Sequence, residues 1–283
     1  MTSPPPAALF DVTFLAVLAV ALAATGALAG LLAGLLGVGG GIVIVPVLYH
    51  VFTELGIDEA VRMHVAVGTS LATIVPTAVV SARSHRRRGA VDGDLLRTWG
   101  PAILVGVLVG TVAGGAVKGP VLTGVFAVVA LLVAAHMAFA PEGRVLAARL
   151  PGPGVGMPLA AAIGGISVMM GIGGGTLSVP ILTTFSYPMR RAVGTASAIG
   201  LIIGIPGAIG FAWSGLGVAD RPPWSLGYVN LLGFVLLVPM TMLAAPWGAR
   251  LAHTINPRLL RRVFSFFLFL TAMRMMYGLY PRG

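Results

Sequence analysis

Two stretches of the chain set three consecutive glycines inside hydrophobic runs. Residues 33–48 read AGLLGVGGGIVIVPVL and residues 167–182 read SVMMGIGGGTLSVPIL. Gly37, Gly39, Gly40, Gly41 and Pro46 thus fall on Gly171, Gly173, Gly174, Gly175 and Pro180. Glycine admits positive φ and close backbone approach, so it can end one helix where another begins. Unwound backbone in hydrocarbon exposes unpaired N–H and C=O groups, and it is tolerated only when buried in protein or lining a polar cavity. Ile42-Val43 and Thr176-Leu177 would then open helices whose first N–H groups and partial positive charge suit an anion. Each such end contributes about 0.3–1 kcal/mol when exposed and up to about 2 kcal/mol when partly buried. Two facing ends could hold an oxyanion with no intramembrane Lys or Arg, and Pro46 and Pro180 read as structural or hinge positions.

Hydroxyls stand near both breaks. Thr69, Ser70, Thr73, Thr195 and Ser197 lie early in the following long apolar segments, within the matched pairs Gly68-Thr69 and Gly194-Thr195 or just after them. They could donate to a bound anion, or bond back to their own helix carbonyls. Thr176 and Ser178 follow the second break, whereas their counterparts Ile42 and Ile44 are apolar, so the two breaks contribute unequally. The competing reading of the glycines is close helix packing of the small-xxx-small kind, which suits Gly26, Gly30 and Gly34. Neither glycine cluster is a nucleotide loop: GxGxxG needs glycine at Ile42 or Thr176, and a P-loop needs a following Lys-Ser/Thr. Ionisable residues within the apolar segments are His50, His64, His136 and Arg274, with Glu54 at a segment end. Such residues are functional suspects, although snorkelling from segment ends also accounts for them.

The composition states what must surround these motifs. Hydrophobic residues make up 57% of 283 and charged residues 9%, with a mean hydropathy of +0.99. Soluble domains carry about 25% charged residues, so this chain cannot cover a water-facing surface, and a bilayer must be its solvent. The net charge of +10 sits in short basic runs between apolar segments, a placement that orients helices and argues against nucleic acid. The chain has no Cys, which excludes disulfides and Cys-ligated metals. Paired carboxylates, HExxH and GxSxG are absent as well, so neither an enzyme nor a metal or cofactor site is expected. The first apolar run lacks a basic region before it, the first basic residue being Arg62, and is expected to be retained as a segment.

Ten apolar segments follow, near 10–36, 42–54, 63–82, 98–116, 121–140, 157–170, 176–187, 191–213, 226–249 and 261–280. A full span needs about 20 residues, so segments two, six and seven read as half-helices or re-entrant pieces. The matched glycine blocks are 134 positions apart. Ala66-Val67-Gly68-Thr69 and Ala192-Val193-Gly194-Thr195 are 126 apart, and Pro101, Gly110 and Phe126 stand 138 before Pro239, Gly248 and Phe264. The order is kept, which marks an internal duplication: an N-terminal membrane repeat over 1–140, a linker over 141–156 and a C-terminal repeat over 157–283. Arg83, Arg86, Arg87, Arg88 and Arg97 place the loop 83–97 in the cytoplasm with the linker, which holds Arg144 and Arg149. In the second half the charge bias moves to Arg190, Arg191, Arg250, Arg258, Arg261 and Arg262. Five segments per half and the swapped bias predict an all-α membrane fold of two inverted repeats with both termini outside. Such a plan commonly supports alternating access at a midplane site.

The blocks GLLAGLLGVGGGIVIVPVL (30–48) and GGISVMMGIGGGTLSVPIL (164–182), each followed by AVGT, resemble the TauE/SafE family of membrane transporters, over about 12–280. The resemblance implies export of sulfite or organosulfonate-type anions across the bacterial inner membrane. It carries both glycine clusters, Pro46, Pro180, Gly68-Thr69 and Gly194-Thr195 over as the matched positions. The expected partners are a small anionic substrate and membrane lipid, with proton coupling and a homo-oligomer both open. A non-transporting membrane scaffold, or a carrier of another ion, are the alternatives.

Overall fold

A computed structural model describes residues 12–36, 40–139, 146–251 and 257–279. Ten helices occupy the described residues: α1 (Val12–Leu36), α2 (Gly41–Glu54), α3 (Glu59–Arg87), α4 (Gly93–Ala116), α5 (Gly119–Phe139), α6 (Pro153–Met170), α7 (Gly174–Thr184), α8 (Met189–Ser214), α9 (Leu231–Leu251) and α10 (Pro257–Gly278). Six of them are long and apolar enough to cross a bilayer: α3, α4, α5, α6, α8 and, within α9, Leu231–Gly248. The chain is a multi-pass membrane protein.

Local chemistry sets the helix limits. Asp58 caps α3 by accepting from the Ala60 N–H at 2.7 Å, and Glu59 lies in its first turn. His85, Arg86 and Arg87 lie in its last turn, matching the sign of the helix dipole at both ends. Several boundaries differ from the sequence expectation by a few residues, two of them for identifiable local reasons. Segment six opens earlier, because Gly152 caps it and Pro153 takes the first helical position, where a missing N–H costs nothing. At 18 residues α6 is long enough to count as a span, so only α2 and α7 are short, and the linker ends at about Gly152. Segment nine opens later, since Ser225–Leu226 (β1) and Val229–Asn230 (β2) pair antiparallel immediately before α9.

Helix packing follows a regular scheme: α1 lies on α9, α4 on α6, α3 on α8 and α5 on α10. Exchanging each helix for its sequence counterpart five places along leaves these pairings unchanged. The glycines at the contacts correspond too. A Cβ on Gly30 would strike the Thr241 carbonyl, as one on Gly164 would strike that of Ile103. Gly110 faces the Gly165 carbonyl and Gly248 that of Leu31. These glycines therefore serve backbone-to-backbone packing. In α3 and α8, 56% and 50% of the apolar stretch is buried, against 22% in α9, so α3 and α8 form the centre against which the breaks pack.

Candidate functional site

The second break has a defined geometry. Gly171 ends α6 in the left-handed region, at φ 67°. Its N–H donates to the Val168 carbonyl at 3.1 Å, and the Ile172 N–H donates to that of Ser167 at 3.0 Å, closing the last turn as glycine C-caps do. Gly173 is extended, at φ −74° and ψ 168°, and α7 begins at Gly174 with no side chain capping it. At the first break α1 stops at Leu36 and α2 starts at Gly41, again with no side-chain cap; Gly37 and Gly39 lie outside the described residues. Pro46 removes the helix's own donor for the Ile42 carbonyl, and Pro180 occupies the matching place in α7.

The two breaks meet. A Cβ on Gly41 would lie 2.5 Å from the Gly171 carbonyl and 3.1 Å from the Ser70 hydroxyl. Ser70 itself donates to that Gly171 carbonyl at 2.7 Å. A Cβ on Gly174 would lie 2.7 Å from the Ala196 carbonyl and from Ile199 Cγ2, both on α8, while Gly173 faces Ile74 of α3. Glycine is required at positions 41 and 174, where a Cβ would overlap a backbone carbonyl. Three buried hydroxyls have no hydrogen-bond partner among the described residues: Thr111, Ser167 and Ser178. Ser167 stands four residues before Gly171 and Ser178 four after Gly174, on the matching helix faces. An unpaired buried hydroxyl costs about 1–3 kcal/mol, and two of the three flank one break.

The Gly-Thr pairs have another role. Thr195 Oγ1 accepts the Asp92 N–H at 2.9 Å, and Thr69 Oγ1 accepts the Asn230 N–H at 2.8 Å. Asp92 and Asn230, 138 positions apart, are matched caps: Asp92 accepts from Asp94 and Leu95, Asn230 from Gly233. Gly194 and Gly68 let these loops pass, since a Cβ on either would strike the Ala90 or Tyr228 carbonyl. Ser197 bonds back to the Gly194 carbonyl at 2.6 Å and Thr73 to that of Ser70 at 2.7 Å. Of the expected residues, then, Gly40, Gly41, Ser70, Gly171, Gly173, Gly174, Gly175, Thr176 and Ser178 share the neighbourhood of the breaks. Gly68, Thr69, Gly194, Thr195 and Ser197 serve the loop contacts instead.

Asp92, Tyr187 and Arg191 were not among the sequence candidates, though the 138-residue offset pairs Asp92 with Asn230. Tyr187 donates its hydroxyl to Asp92 Oδ2, and Arg191 reaches the same oxygen at 3.0 Å. Burial alone would raise the Asp92 carboxyl, but the bonds from Tyr187 and Leu95 and the Arg191 charge hold it below its ordinary value. Burial first, then the bond to Asp92, push Tyr187 up to about 12. At the opposite end of α3, His64 is fully engaged: its ring lies 3.1 Å from the Ala60 carbonyl and 3.0 Å from that of Val117, and stacks on Tyr228 at 4.8 Å.

Residues 22–275 match the family model described as sulfite exporter TauE/SafE. A probable membrane transporter protein of Haemophilus influenzae is 33% identical over 245 residues, covering 84% of this chain and 90% of that one. YunE of Bacillus subtilis, also described as a probable membrane transporter protein, is 25% identical and covers 91% and 97%. The corresponding Methanocaldococcus jannaschii protein, MJ0441, is 24% identical and covers 81% and 84%. No solved structure matches significantly. The chain belongs to the TauE/SafE family.

Proposed function

We propose that this protein is a secondary transporter that exports a small sulfur oxyanion or organosulfonate across the inner membrane by alternating access between two inverted repeats. The observation that carries the reading is the second break. There Gly171 lies against Gly41 of the first break and the uncapped start of α7, Gly174, packs on α8, with the hydroxyls of Ser167 and Ser178, partnerless among the described residues, one turn to either side. Helix N–H groups and hydroxyls together bind an oxyanion without a resident cation. Three further observations support the plan: an odd number of helices per half, the swapped charge bias of equivalent loops, and pairings that survive exchange of the halves. Both termini then lie outside, with the loop 83–97 and the linker in the cytoplasm. The family name and the relatives described as probable transporters point the same way.

Proteoliposomes loaded with sulfite, thiosulfate or sulfoacetate test the reading, with efflux followed under a substrate gradient and under a proton gradient. Efflux of at least one anion, reduced in Ser178→Ala, is expected. Absence of flux for every oxyanion under both gradients would sink the proposal and favour a scaffold role. Retention of full flux in both Ser167→Ala and Ser178→Ala would move the site away from the second break.

A further inference from the structure

A cavity of about 650 Å³ opens between α1, α2 and α10, and none of its lining residues belongs to either break. From α2 it is lined by Val47, His50, Val51 and Glu54, and from α10 by Phe267, Leu270, Thr271 and Arg274. Both sets follow the spacing i, i+3, i+4, i+7, so each helix offers a single face to the cavity. Each face begins apolar and ends charged. The charged ends lie together: Glu54 and Arg274 both act electrostatically on His50, and a Cβ on Gly278 of α10 would lie 3.8 Å from the Tyr49 hydroxyl of α2. The cavity therefore has an apolar interior and an ionic mouth.

Arg274 stands at the mouth with no ion-pair partner among the described residues. The ion pairs among the described residues are Arg97–Asp94 and Arg191–Asp92, so Glu54 does not pair with Arg274. Arg62, beside Tyr49, donates to the Ile57 carbonyl at 2.8 and 3.1 Å and lies over the Tyr49 ring; among the described residues it forms no ion pair. Asp58 and Glu59 stand one turn before Arg62, so it is Arg274, on the cavity wall, that offers its charge to a ligand. An arginine at a bilayer-facing helix is costly unless an anion pairs with it, and the volume is that of a small-molecule site.

We infer that this cavity binds an anionic membrane lipid, its phosphate on Arg274 and one acyl chain along Val47, Val51, Phe267 and Leu270. The site is separate from the breaks and does not depend on what they transport. Purified full-length protein in neutral detergent is titrated with phosphatidylglycerol, with phosphatidylcholine of the same chains and with glycerol phosphate. Thermal unfolding and retained lipid, by native mass spectrometry, are the readouts. Phosphatidylglycerol alone is expected to be retained and to raise the unfolding temperature. Arg274→Gln should weaken its retention by on the order of tenfold, the loss of one charge-assisted bond. Leu270→Trp, which obstructs the acyl path beside Phe267 and keeps Arg274, should weaken retention markedly, and it decides the matter if Arg274→Gln does not fold. Equal retention of both lipids, or undiminished retention in Leu270→Trp, overturns the assignment. A matching effect of glycerol phosphate also overturns it, in favour of a small-anion site.

Discussion

Gly194→Ala tests whether the Gly-Thr pairs are loop anchors. The added Cβ would fall inside the contact shell of the Ala90 carbonyl, and backbone cannot rotate aside as a side-chain tip can. Restoring ordinary contact requires the α3–α4 loop to retreat from α8 by about 1 Å. The Thr195 Oγ1 to Asp92 N–H bond, 2.9 Å in the native chain, would stretch to roughly 3.9 Å and cease to be a hydrogen bond. Loss of that buried bond costs about 1–3 kcal/mol, and the overpacking another ~1–3 kcal/mol. Thr195→Val alone keeps the volume and should cost only the first of these. Because both changes break one bond, the double variant should be less destabilised than the sum by about 1 kcal/mol or more. Reversible unfolding of the purified protein in mixed micelles measures all three. A neutral Gly194→Ala, or strict additivity of the two changes, refutes the anchoring role. The matched set Gly68→Ala and Thr69→Val, acting on Tyr228 and Asn230, should reproduce the pattern.

Gly174→Ala should already push α7 from α8 at Ala196 and Ile199 and lower flux at least several-fold, with Gly174→Leu abolishing it while insertion persists. Unchanged flux in proteoliposomes would separate the second break from the pathway. Tyr187 should titrate at about 12, and Asp92→Asn should bring it down, as followed by phenolate absorbance; an unshifted titration would refute the coupling. Because Asp92 is held below its ordinary value, its stabilising contribution is complete above the unfolded carboxylate pKa and is lost as pH falls through the lower native value. Acid unfolding of Asp92→Asn should therefore be less steep over that window than that of the native chain. Residues 1–145 and 146–283, expressed as separate chains, should each fail to accumulate alone and recover together, as membrane-fraction immunoblots would report. Accumulation of either half by itself would contradict the cross-half contacts.

The ten segments were legible because hydrophobic runs interrupted by glycine, proline and arginine leave little choice of register. The second break was legible for a related reason: three consecutive glycines beside a short apolar run give a helix little to hold it together. What the sequence concealed was non-local. Thr195 meets Asp92 from 103 positions away and Thr69 meets Asn230 from 161, and nothing local distinguishes a hydroxyl that holds a neighbouring loop from one that awaits a ligand. The cavity was hidden likewise, since His50, Glu54 and Arg274 sit near helix ends where snorkelling explains each one singly. Only the facing stripes of α2 and α10 make them a group. Boundaries shifted where a particular cap or pairing overrode the hydropathy pattern, as at Pro153 and at the short β1–β2 pair before α9.

The anchors run crosswise. Thr69, before the linker, holds a cap that comes after it, and Thr195, after the linker, holds a cap that comes before it. Helix α1 finds its partner in α9 and α4 in α6. A single unit of this design, made alone, would have had no helix for its first to lie on and no threonine for its loop. It could complete itself only on a second molecule of the same kind, because neither part of the polypeptide carries the partners that its own helices and loops use.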